Sequence, residues 1–123
     1  FGHYSQVIKF GNQLYISGQL PVDPQTNKLV SDDPAEQAKK VFDYLTAIMQ
    51  ACQGAVSNIM MMTMYLTDLR DHKEIDKVSK EYFFFTPPAR TTVQAAALPF
   101  GARIMVDAVA DLNPPETKPG VMI

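Results

Sequence analysis

The stretch Asp33–Leu66, DPAEQAKKVFDYLTAIMQACQGAVSNIMMMTMYL, holds one helix followed by one strand, and its reading decides the fold class. Asp33 can accept hydrogen bonds from the orphan amides of a first helical turn, Pro34 suits that turn, and Glu36 completes a capping box. Ala38, Val41, Phe42, Leu45, Ile48, Met49 and Cys52 then recur at the i, i+3, i+4, i+7 spacing of a helix with one buried face, which Gly54 ends. From Val56 to Leu66 the period changes to two, with Met60, Met62, Met64 and Leu66 on one side of a pleat. These methionines read as core filling, because thioether metal sites come with a flexible, His-rich context that is missing here. Cys52 lies on the helical stripe and reads as a small packing residue without an activating partner.

Working outward, Ser5 to Phe10 and Gln13 to Ser17 are strand-like runs joined by Gly11-Asn12, a dipeptide suited to a tight hairpin turn. Downstream, Asp71-His72-Lys73-Glu74 reads as a second capping box, with His72 on the surface. Ile75, Val78 and Tyr82 share one face of the helix that follows, which ends near Phe83. The aromatic run Tyr82-Phe83-Phe84-Phe85 either plugs the core under that helix end or walls a pocket or subunit contact; both readings stay open. Arg90 to Leu98 and Arg103 to Asp111 flank Pro99-Phe100-Gly101-Ala102 and read as a second hairpin.

The resulting order ββαβαββ predicts an α+β fold: one sheet with both helices packed on a single face. On the last hairpin the outward parity carries Ala95 and Ala97 on one strand and Ile104, Val106, Ala108 and Ala110 on the other. A second sheet face that is partly apolar implies contact with another subunit. The domain is expected over residues 1–112. Residues 113–123, with Pro114, Pro115 and Pro119, are expected to form an extended surface tail that lacks the flanks of a polyproline recognition segment.

The 123 residues, 46% of them apolar, suit one domain rather than two. With 11 Lys and Arg against 13 Asp and Glu, the chain has no broad basic field for a polyanion. No apolar run approaches the ~18 residues that cross a bilayer. One cysteine excludes an internal disulfide.

Candidates for chemistry are sparse. HxxxH, CxxC, a glycine-rich phosphate loop and a GxSxG elbow are all missing from the chain. His3, beside Tyr4, reads as a terminal surface histidine. Arg90 follows Thr86-Pro87-Pro88-Ala89, so a stiff extended segment delivers it to the start of a strand. There a guanidinium can grip a carboxylate with two parallel hydrogen bonds, or simply make a surface ion pair.

Five blocks of the chain, in order and spacing, resemble the RidA/YjgF family, also called L-PSP. They are Gly2-His3-Tyr4-Ser5-Gln6, Tyr15-Ile16-Ser17-Gly18-Gln19-Leu20-Pro21, Met64-Tyr65-Leu66-Thr67-Asp68-Leu69, Pro88-Ala89-Arg90-Thr91-Thr92, and Ala97-Leu98-Pro99 with Ile104 through Ala110. The resemblance implies a chorismate-mutase-like fold with one mixed sheet, assembly as a homotrimer, and hydrolysis of imines or enamines derived from amino acids to 2-oxo acids and ammonia without a cofactor. It further implies that Arg90 holds the substrate carboxylate in a cleft between subunits. Tyr4 and Ser17 come to that cleft as hydrogen-bonding groups, and Gly18 offers backbone groups. Phe83, Thr92 and Met105 complete the expected binding set.

One departure from the pattern bears on the chemistry. Where the family's deaminases carry a glutamate that positions the attacking water, this chain has Met105. The second acidic place is kept as Asp107, on the same side of the strand about 7 Å further along. Asp107 either substitutes through a bridging water or pairs with a neighbouring cation, and His3, where the family has proline, is a second candidate for a proton relay. Expected partners are a small carboxylate-bearing imine, enamine or 2-oxo acid and further copies of the chain. Alternatives are a non-catalytic trimeric carboxylate binder and the ribonuclease or translation-inhibitor activity also ascribed to the family. The acidic balance, the missing stacking array and the missing histidine pair argue against RNA cleavage. The expected compartment is cytoplasmic, with a mitochondrial one open because a leader before Phe1 would have been trimmed.

Overall fold

The computed structural model describes residues 2–84 and 87–113. Strands β1 (Val7–Phe10) and β2 (Gln13–Gln19) form the first hairpin, with Phe10 opposite Gln13 and Gly11 at φ 62° in the turn. A short ribbon of β3 (Val22–Asp23) and β4 (Lys28–Leu29), unmarked in the sequence pattern, precedes α1 (Pro34–Ala51). Then come β5 (Ile59–Leu66), α2 (His72–Tyr82), β6 (Ala89–Gln94) and β7 (Ile104–Asp111). The five-stranded sheet has the order β1-β2-β7-β5-β6, parallel between β5 and β6 and antiparallel elsewhere, and its apolar face packs against both helices. This is the expected α+β, chorismate-mutase-like arrangement of a mixed sheet with two helices on one face.

The second hairpin does not form. β6 and β7 lie on opposite edges of β5, because α2 makes the β5-to-β6 connection a parallel crossover, and β7 then pairs with β5 and β2 instead. The strand expected to reach Leu98 stops at Gln94, after which Ala95 packs with Leu20, Leu98 and Ala102.

The parity of β7 is also reversed from expectation. Ile104, Val106, Ala108 and Ala110 are buried beneath the helices, while Met105, Asp107 and Val109 face the other way. That second face is still apolar, through Ile8, Phe10, Tyr15 and Val93, which are all substantially exposed. In β5 a bulge at Met60 puts Ile59, rather than Met60, in line with Met62, Met64 and Leu66 on the core side.

Local signals were met in part. Asp33 caps α1 by accepting from the Glu36 amide at 3.0 Å, but the box stays half-formed: the Asp33 amide donates to Ser31 Oγ, and Glu36 pairs with Lys39. The left-handed residue after α1 is Gln53 at φ 63°, with Gly54 donating back to the Met49 carbonyl at 2.8 Å. Gly54 is needed for space, since a Cβ there would meet Leu112 at 2.9 Å. Asp71 does not cap α2 with its side chain, because its carboxylate receives Arg103 Nε and Nη2, each at 3.1 Å.

Phe42 is fully buried and meets Tyr82 and Phe83 at centroid distances of 5.3 and 5.7 Å, the latter edge-on. Tyr82 and Phe83 therefore plug the core under α2, Phe84 is exposed, and Phe85 lies outside the described residues. Past Asn113 the expected tail lies outside them too. Cys52 packs partly buried against the core as a free thiol. No helix among the described residues is long and apolar enough to cross a membrane.

Candidate active site

The expected site residues fall into two groups within one chain. The first gathers around Arg90 at the start of the edge strand β6. Arg90 stands beside Met62 of β5 in the parallel register, so its side chain rises on the helix side of the sheet and reaches α2. There Nη1 donates to Asp76 Oδ1 at 2.8 Å, and Nη2 lies 3.3 Å from His72 Nε2. Donation to that nitrogen requires the tautomer with its proton on Nδ1.

Arg90, Asp76, Met62, Phe83, Phe84 and Pro88 line a cavity of about 590 Å3. Phe83 thus serves core and cavity at once, and both readings of the aromatic run hold. The guanidinium and Lys80 Nζ, 3.8 Å from the other Asp76 oxygen, hold the Asp76 carboxyl below the usual carboxylate range, the hydrogen bond from Arg90 being the larger cause. Thr92, two residues along β6, shares the helix side of the strand but is not among the cavity-lining residues.

The second group lies where β2 ends. A register shift between Ile16 and Gln19 swings Ser17 and Gly18 out of regular pairing with β7. Tyr4, Gln6, Ser17, Gly18, Tyr44 and Phe100 line a second cavity, of about 580 Å3. Ser17 Oγ donates to the Gln6 carbonyl at 3.2 Å, and Gln19 Nε2 donates to the Ser17 carbonyl at 2.9 Å. Gly18 carries no side chain because Met105 occupies the space: a Cβ there would come within 2.7 Å of Met105 Sδ. The thioether therefore packs directly on the backbone whose groups line this cavity.

Asp107, on the same face of β7, accepts a hydrogen bond from Tyr65 Oη at 3.1 Å. Among the described residues the hydrogen-bond partner of Asp107 is this phenol from β5, rather than a cation. That bond, with burial second, raises the Tyr65 pKa above the ordinary tyrosine value. His3 is exposed, in the irregular stretch before β1.

Asp76, His72 and Tyr65 went unmarked as site residues. Only the spacing of four between His72 and Asp76, which sets both on one face of α2, could have drawn attention to them. Among the described residues no three His, Cys, Asp or Glu side chains gather as a metal site.

The comparisons with known proteins agree with this architecture. The family model described as Endoribonuclease L-PSP matches residues 1–112. A RutC family protein of Pyrococcus abyssi is 38% identical over 109 residues, covering 89% of this chain and 86% of that protein. The 2-iminobutanoate/2-iminopropanoate deaminase of Homo sapiens is 38% identical over 113 residues, covering 92% of this chain and 82% of that protein. The crystal structure of RidA from the Antarctic bacterium Psychrobacter sp. superposes with a TM-score of 0.85 at 37% identity, covering 89% of each chain. Sequence blocks, sheet order and relatives converge, and the chain belongs to the RidA/YjgF family, whose model carries the description Endoribonuclease L-PSP.

Proposed function

We propose that the chain hydrolyses 2-imino acids, or their enamine tautomers, to 2-oxo acids and ammonia. The observation that carries this reading is the division of the site: a guanidinium on the wall of one cavity, and hydroxyl and backbone groups around another. In a homotrimer, the assembly implied by the family resemblance, the Arg90 cavity of one copy would face the Ser17 cavity of its neighbour. Each cleft would then hold an acid-binding end and a hydrogen-bonding end.

An imine carbon is already electrophilic, so the reaction needs orientation, a held water and a proton route. Water adds to C2 of the imine and its oxygen forms the new bond, while the nitrogen takes up a proton. The hydroxyl proton of the resulting carbinolamine passes to its nitrogen as the C–N bond breaks, releasing ammonia and leaving the 2-oxo acid. Arg90 would hold the carboxylate throughout. Ser17 and Tyr4 hydroxyls would serve the water and nitrogen as donors or acceptors, and Asp107 with Tyr65 is the nearest acidic group to Met105 on the same strand face.

A second reading rests on Met105. A thioether against Gly18 takes no proton, and it stands where the resemblance expects the water-positioning glutamate. This favours a trimeric protein that binds 2-oxo or amino carboxylates without turnover. One experiment separates the two. An amino-acid oxidase generates the 2-imino acid in place, and semicarbazide traps what survives. Wild type is expected to suppress the trapped product and Arg90→Ala to lose that effect; equal rates reject the deaminase reading, and saturable 2-oxo acid binding without turnover selects the second.

A further inference from the structure

Arg90 does not stand alone at its cavity. Asp76 and His72, one helical turn apart on α2, meet its guanidinium from the same side, at 2.8 Å through Nη1 and 3.3 Å through Nη2. Asp76 is itself steadied by Lys80, so that one carboxylate oxygen faces the lysine and the other receives the arginine. The Arg90 and Asp76 side chains are 26% and 29% exposed. The pair is largely shielded at the cavity wall, and it removes rotamer freedom from a long side chain before any ligand arrives. The two contacts engage two of five N–H groups, leaving donors for a third partner.

We propose that Asp76 is the positioning residue of the arginine clamp: it fixes the guanidinium at the cavity wall, and His72 occupies Nη2 until the carboxylate of a ligand displaces it. The proposal rests on the carboxylate-binding role given to Arg90 above and adds how that side chain is prepared. With one Asp76 oxygen held by Arg90 and the other facing Lys80, Asp76 acts through Arg90. The acid group of a ligand arrives at an edge already presented, and the ring nitrogen of His72 on that edge is a weaker partner than the anion that replaces it.

The alternative role for Asp76 is competition, an internal anion that occupies the guanidinium and holds ligands off. The two roles differ in sign. Titration calorimetry with 2-oxobutanoate reads the difference without needing turnover. Asp76→Ala is expected to weaken binding about tenfold, the effect of losing pre-organisation at one anchoring side chain. Asp76→Asn, which keeps the accepting oxygen, is expected to recover most of that loss, and His72→Ala, which removes the group the ligand must displace, to bind more tightly. With 2-imino acid, Asp76→Ala should raise KM while kcat stays within about twofold, as expected when only binding that is equal in ground and transition states is lost.

Unchanged or tighter binding in Asp76→Ala, no recovery in Asp76→Asn, or unchanged or weaker binding in His72→Ala would overturn the proposal. Because Asp76→Asn preserves both shape and hydrogen bond, it also separates a folding defect from a positioning defect. If wild type binds 2-oxobutanoate but turns over no imine, the deaminase reading fails while the positioning role is still decided by these affinities. If wild type does not bind it at all, both fail.

Discussion

Tyr65 Oη on β5 donates to Asp107 Oδ2 on β7 at 3.1 Å, joining two adjacent strands on the sheet face away from the helices. The carboxylate holds the phenol proton, and the Tyr65 pKa rises for that reason first and burial second. Tyr82 is raised as well, by burial first and then by its 2.6 Å bond to Asp43. A tyrosine whose folded pKa exceeds its unfolded value stabilises the fold below the unfolded pKa, and that contribution is lost as pH rises through the folded one. Urea unfolding followed from pH 8 upward should therefore show stability falling above about pH 10, the ordinary tyrosine range. Tyr65→Phe with Tyr82→Phe should lessen that fall, leaving the share of Tyr44, whose pKa burial raises too; an unchanged slope would contradict the assignment.

Gly18 and Met105 share one space. Gly18→Ala puts a methyl within 2.7 Å of Sδ and 2.9 Å of Cγ, so the methionine must move. Its flexible end limits the cost to about 1–3 kcal/mol, typical of overpacking. Met105→Ala in the same chain should relieve most of this, and urea midpoints for the four members of the cycle will show the coupling.

Met105→Glu tests the missing water-positioning group from the other direction. If the cleft performs imine hydrolysis, a carboxylate restored at this place should raise kcat by about a hundredfold, the lower range of general acid–base catalysis. No gain would mean that the remaining groups already manage the water, or that the cleft only binds.

Arg103 ties the start of β7 to the start of α2. It donates from two nitrogens to Asp71, whose side chain is only 11% exposed, while its amide donates to the fully buried Gln37 at 2.8 Å. Arg103→Met keeps the amide bond and strands the carboxylate. The expected loss is about 2 kcal/mol, within the cost of leaving a buried polar group unpaired, read as a lower urea midpoint.

Helix α1, the first hairpin and the class of the fold were legible in the sequence because each rests on local periodicity: the Val41, Phe42, Leu45 and Met49 stripe and the Gly11-Asn12 turn need nothing from afar. What local pattern missed was decided at a distance. The capping signal at Asp71 was present, but Arg103, 32 residues later, claimed the carboxylate. β6 and β7 look like a hairpin until α2 is seen to impose a parallel crossover. At the site, the Pro88-Ala89-Arg90 approach to a strand start was readable. The partners of Arg90 were not, since they sit 14 and 18 residues earlier on a helix that only the tertiary fold lays beside it.

The central claim is that one working cleft is assembled from the Arg90 cavity of one copy and the Ser17 cavity of another. Co-refolding equal amounts of Arg90→Ala and Ser17→Ala chains tests it directly. Each variant alone should be nearly inactive, while random mixing at closed interfaces restores about a quarter of the intact pairings and so about a quarter of wild-type imine turnover. Activity no greater than the mean of the two separate variants would contradict it.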